Sequence, residues 1–168
     1  MNIFVTSYDP LACAQALDDK RVIKMILESA QLLATAMYCN KVPEHCFPRT
    51  KKDNKPYLPT HINHPCTKWV RESIQNFMWL HQHLTNLLDE YKYRFGKEHF
   101  LRKFDKIIYN VYEGNYFKEC EGTVFVNCTP YKDMRLIFAY RKTLIEKWKN
   151  DKRKPKWTNC EPPEWIEL

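Results

Sequence analysis

The stretch from Leu17 to Leu33 constrains this chain more than any other. On a helix, at about 100° per residue, its side chains sort into two very unequal faces. Val22, Ile26, Ala30, Leu33 and Met37 recur at helical spacing as one apolar stripe. Met25, Leu27, Leu32 and Ala34 widen that stripe until most of the circumference demands burial. Lys20, Arg21, Lys24, Glu28, Gln31 and Thr35 share the narrow remainder. Such a helix belongs inside a protein, with its polar strip turned to a cleft, to water or to a partner. Glu28 is then one carboxylate among three cations, walled by apolar residues, which is the setting of an acid/base group beside an anion site. The same strip also reads as a solvated face, with Lys24–Glu28 a surface pair worth ~0.3 kcal/mol. Sequence alone leaves both readings open.

Composition narrows the choices. In 168 residues, 44% are hydrophobic and 14% aromatic, enough for a real core, and one domain over 1–168 is expected. Only 3 Gly argues against a turn-rich all-β fold and against glycine-rich phosphate loops. The net charge of +7 suits a polyanionic partner without requiring one. No apolar run is read as approaching the ~20 residues of a bilayer span, so no membrane partner is expected. The first residues lack a basic and then apolar leader pattern, so no signal peptide is expected. Seven Cys without a Cys-x-x-Cys pair fit reduced thiols and a cytoplasmic setting, that of a host cell if the chain is viral.

Local signals divide the chain into helices and loops. Asp9-Pro10 is a cap followed by Pro at the first helical position, opening a short helix over 10–17. Asp18 or Asp19 caps the next helix, which runs to about Tyr38. Residues 40–64 carry repeated Pro and a basic centre and read as a loop. Apolar positions from Val70 to Tyr91 predict one helix over Pro65–Phe95, closed by Gly96. A further helix is expected from Lys97 to about Tyr109, with a short strand near 123–126. Thr129-Pro130 repeats the cap signal and predicts a helix from there to about Asn150. Residues 151–168 form a basic tail with Trp and Pro, whose aromatics either pack on the core or stack on bases. Glu90 and Arg94 read as solvated.

The start of the second long helix offers further polar candidates. Asn63 reads as a helix cap or as a contact to phosphate, with His61, His64 and Arg71 nearby. His45, Cys46, His61, His64 and Cys66 lie close in sequence, but their spacings match no standard zinc module. No metal and no cofactor is expected.

Residue identities add a resemblance. Leu17, Asp18, Lys20, Arg21, Lys24, Glu28, Gln31 and Leu33, followed by Asn63-His64-Pro65 and Trp69, resemble the pyrimidine-dimer DNA glycosylase family of the phage endonuclease V type. The start from Met1 to Phe4 is similar as well, and the likeness covers about residues 1–95. It implies a compact all-α fold and a DNA partner carrying a damaged or modified pyrimidine. It also implies excision of the base, with an abasic-site lyase step, by an amine that attacks the sugar C1′ and forms an imine. Glu28 is implied as the acid/base group. The amine is that of Met1, of Asn2 after processing, or of the Lys24 side chain. Lys20, Arg21 and Lys24 are implied at backbone phosphates or as the cations that hold Glu28 ionised, and Gln31, His61, Asn63, His64 and Arg71 are expected around the DNA or nucleotide.

The expectation is therefore a mainly α, compact helical fold built on two long buried helices, acting on DNA as a repair glycosylase. Two alternatives stand beside it. One is a non-excising relative that binds a nucleotide or modified base, in viral DNA modification or evasion of host defence. The other is a helical interaction module whose polar strip is plain surface.

Overall fold

The computed structural model describes residues 2–119 and 121–166, with helices packed around one another. Asp9 caps α1 (Pro10–Ala16), its carboxylate accepting from the amides of Leu11 and Ala12 at 3.0 and 3.3 Å. The predicted buried helix is α2 (Asp19–Cys39). Asp18 occupies its cap position, but its carboxylate makes no capping bond. It accepts instead from Arg21 at 2.8 Å and from the Trp148 indole at 2.7 Å.

The second long helix is broken where continuity was expected. Ser73 is extended and buried between α3 (Pro65–Glu72) and α4 (Ile74–Phe95). Its hydroxyl accepts from the Asn76 amide at 3.1 Å, so it caps α4 and ends α3. Apolar spacing did not register the break because the apolar positions on either side of it still face one core. Gly96 closes α4 in the left-handed region at φ 65°, which glycine adopts without a Cβ penalty.

α2 packs against α3 and α4, and α1 lies on α4. Val22, Met25, Ile26, Ala30, Leu33 and Met37 are fully enclosed there with Phe77, Leu80, Leu84 and Leu87. Of the residues expected to widen the apolar face, Met25, Leu32 and Ala34 are fully buried and Leu27 is 38% exposed. Contrary to the membrane expectation, α2 is long and apolar enough to cross a bilayer by length and composition. Of its most apolar window, 61% is buried within the protein, as in a core helix.

Beyond α4, residues 97–101 are not helical and α5 spans Arg102–Tyr109, followed by a 3₁₀ turn at Asn110–Gly114. The strand expected near 123–126 is a correction. Among the described residues the single β-bridge joins Arg49 and Pro56, and no strand forms. Residues 123–126 are held by side chains. Asn76 bonds the Thr123 amide and hydroxyl at 3.0 and 2.7 Å, the Trp69 indole donates to the Thr123 carbonyl at 3.1 Å, and Phe125 stacks on Trp69. α6 covers Leu136–Asn150, starting later than Thr129-Pro130 predicted. The Thr129 hydroxyl donates to Asn127 and accepts from the Tyr131 amide, spending the cap on a tight turn.

The tail packs on the core. The Trp157 indole donates to the Ala16 carbonyl at 3.3 Å, Trp165 stacks on Trp148, and Thr158 donates to Asp19 at 2.6 Å. Glu90 and Arg94 are buried, not solvated. Arg94 pairs with Glu90 at 2.9 Å and donates to the carbonyls of Leu17 and Gln15, tying α4 to the α1–α2 junction.

Candidate active site

Glu28 sits in the middle of α2, its side chain 16% exposed, with both oxygens engaged. Oε2 accepts from the backbone nitrogen of Asn2 at 3.2 Å. Oε1 meets the ammonium of Lys24, one turn earlier, at 3.3 Å. The Asn2 side chain fixes its own segment, Oδ1 accepting from the amides of Ile3 and Phe4 at 2.8 and 3.3 Å. Ile3, Phe4 and Val5 then bury beneath, and Phe4 takes a positive φ of 55° that swings the chain across α2. A carboxylate flanked by a backbone nitrogen near the chain start and by a lysine amine is therefore built by apolar anchoring and helical spacing together.

Beside it opens a cleft of about 490 Å³ between the first half of α2 and α6. This lies within the about 300–1,000 Å³ usual for ligand pockets. Lys20, Arg21, Lys24 and Lys147 line it with Glu146 and Asp151; Arg21 is neutralised by Asp18 and Asp151, so the exposed ammonium groups of Lys20 and Lys24 are the ones an anion would meet. Thr143, Glu146, Lys147 and Asn150 reach it from α6. The sequence reading missed these four, although their spacing over two turns is the signal that places them on one helical face.

The profile of pyrimidine dimer DNA glycosylase matches residues 1–103. The chain belongs to that family. Comparisons with curated proteins and with solved structures found no match. Membership in the pyrimidine dimer DNA glycosylase family supports a DNA repair function of the glycosylase type and DNA as the substrate.

The other sequence candidates of this family member fall in different places. Lys20 is exposed and pairs with Asp151 at 3.0 Å. Arg21 is buried, bridging Asp18 at 2.8 Å and Asp151 at 3.0 Å. Its guanidinium lies 6.0 Å from the centre of the Trp148 ring. Gln31 is half-buried and lines a separate hollow with Thr60 and Tyr57. Thr35, on the same strip, is fully buried and bonds the Thr60 amide at 3.1 Å, pinning the 40–64 loop to α2. Arg71 lies at the far end of α3 against Cys39, at 3.4 Å. Cys39 is eleven residues along α2 from Glu28, about 16 Å by helical rise, so Arg71 serves another cleft. Met1 lies outside the described residues.

At the start of α3, His61 and Asn63 are exposed, and His61 adopts a positive φ of 50°. The cap is His64 rather than Asn63, its Nδ1 accepting from the Cys66 amide at 3.2 Å. Burial lowers the His64 imidazole below its ordinary 6.5, against the opposing pull of the Glu28 carboxylate. Next to it Cys66 and Cys128 hold their sulfurs 3.4 Å apart. The hydrogen bond from Cys66 pulls the Cys128 thiol down to about 6, while Cys66 is pushed up as the partner that keeps the proton. The six cysteines that are described are free thiols.

Proposed function

We propose that this protein excises a damaged or modified pyrimidine from DNA through an amine-derived imine, with Glu28 as the acid/base group. The observation that carries this reading is the Asn2 nitrogen 3.2 Å from Glu28 Oε2. An amine attacking the sugar C1′ must lose a proton, and the departing base must gain one. With Met1 removed the Asn2 nitrogen is a free amine, and a carboxylate within hydrogen-bond reach of it serves both transfers. Two nitrogens among the described residues lie at Glu28: that of Asn2, a peptide amide that becomes a free amine once Met1 is removed, and the Lys24 side chain at 3.3 Å. An α-amine is the better nucleophile near neutral pH, because its ordinary pKa of about 8 leaves more of it unprotonated than a lysine at about 10.4, and Lys24 is 65% exposed. Lys20, Lys24 and Lys147 hold the DNA backbone along the cleft, and Arg21 braces its floor from within a buried ion pair. A base must leave the stack to be attacked, and the cleft accepts it against Phe4.

The partial burial of Glu28 and the fold-back of Asn2 favour this reading over an interaction module, whose polar strip needs no such contact. Borohydride trapping on a duplex with an abasic site tests it. A covalent protein–DNA adduct is expected, mapping by peptide mass to the amino end and persisting in Lys24→Arg. An adduct that maps to residue 24 moves the nucleophile to Lys24. Absence of both adduct and base release across a panel of damaged oligonucleotides overturns the proposal.

A further inference from the structure

A second cluster, near enough for the Glu28 carboxylate to act on its His64, has the chemistry of a metal site. One ring nitrogen of His64 and the sulfurs of Cys66 and Cys128 all lie within 4.8 Å of one another. We propose that these three side chains bind one zinc ion, leaving the fourth tetrahedral position to water.

The ligand set is two thiolates and an imidazole, which suits zinc and excludes the hard cations that choose oxygen. Zn–S bonds of about 2.3 Å in a tetrahedron place two sulfurs about 3.8 Å apart. The sulfurs here stand at 3.4 Å, so the pair needs to open by only a few tenths of an ångström. A disulfide needs about 2.05 Å, well short of this separation. One imidazole nitrogen of His64 lies within 4.8 Å of both sulfurs and completes the set.

The backbone holds the three ligands without help from the thiols. Pro65 at the first helical position fixes the turn that presents His64 and Cys66 together. Cys128 is carried in by the segment that Asn76 anchors at Thr123. The Tyr140 hydroxyl holds that segment's end, accepting from the Cys128 amide at 3.1 Å and donating to the Val126 carbonyl at 2.8 Å. Such a frame pays little of the ordering entropy that a metal otherwise has to offset.

The position gives the ion a task. His64 and Cys66 lie within the residues matched to the glycosylase family, whereas Cys128 lies beyond them. A zinc ion here joins the family part of the chain to the segment that follows, across 62 residues of sequence, beside the buried Ile3–Val5 strip that carries Asn2 to Glu28.

Tag-free, reduced and chelator-stripped protein, titrated with Co²⁺ and then Zn²⁺, tests this. One equivalent of Co²⁺ is expected to give a thiolate-to-metal charge-transfer band and tetrahedral d–d bands, both erased by one equivalent of Zn²⁺. Zinc is expected to raise the melting temperature. Cys128→Ser and His64→Asn should each weaken binding beyond the about 100-fold typical of losing an outer-shell partner, while Cys160→Ser leaves it unchanged. His64→Asn keeps a capping side chain, so it decides the matter if Cys128→Ser fails to fold. Absence of the charge-transfer band in the reduced protein overturns the proposal. So does a band that survives both substitutions. These measurements read metal binding and not base release, so failure here leaves the excision proposal standing.

Discussion

The backbone nitrogen of Asn2 and the Glu28 carboxylate meet at 3.2 Å across 26 residues of sequence. The contact exists because Ile3, Phe4 and Val5 are buried and carry the chain start over the middle of α2. It gives Glu28 a proton-bearing neighbour on one side while Lys24 occupies the other.

Glu28→Gln keeps the size of the side chain and an oxygen that accepts from Asn2, but it cannot exchange a proton. Base release is expected to fall by about 100- to 10,000-fold. Helicity by circular dichroism should be unchanged. Single-turnover assays on a damaged oligonucleotide measure the effect, and full activity in this variant removes Glu28 from the chemistry.

Arg21 depends on two carboxylates that differ in burial. Asp18 is 3% exposed and Asp151 19%. Asp18→Asn leaves a buried guanidinium short of charge and weakens the bond from Trp148, and should cost about 3 kcal/mol. Asp151→Asn should cost about 1 kcal/mol or less, since solvent screens that pair. Urea unfolding with an unchanged slope distinguishes the two, and equal losses contradict the assigned burial.

His83 is fully buried, donates Nδ1–H to the Pro10 carbonyl, and has no partner for Nε2. Burial pushes its pKa down to about 4. The unfolded chain takes up this proton near pH 6.5, the folded protein only near 4. Between those values the unfolded state holds more protons, so stability present above pH 6.5 is lost as the pH falls toward 4. The full loss from this one group is about 3 kcal/mol. Unfolding free energies from pH 7.5 to 4.5 should fall more steeply in the parent than in His83→Gln.

Ser73 holds the break between α3 and α4 through one hydroxyl. Ser73→Ala should destabilise by about 1 kcal/mol with the break retained, because the backbone there is already extended and buried. Thermal unfolding measures this. No loss of stability means that packing alone sets the break.

Helical spacing in the chain is enough to specify α2 as a buried core helix with one polar strip, and the family likeness follows from residue identities on that strip. Periodicity reports which side chains want burial, since that depends only on local geometry and transfer energy. It does not report where a polar side chain finds its partner. Asp18, expected as a cap, turned to Arg21 and Trp148, and Thr129 spent its hydroxyl on a turn. Arg94 looked solvated until α1 and α2 surrounded it with carbonyls and carboxylates. Tertiary folding alone decided which of the strip's charges stay exposed. It committed Arg21 to buried ion pairs, left Lys24 in an exposed pair with Glu28, and delivered Asn2 to Glu28 and Cys128 to Cys66. Those pairings join positions 26 and 62 residues apart, and only the closing of a shared core brings such residues within bonding distance.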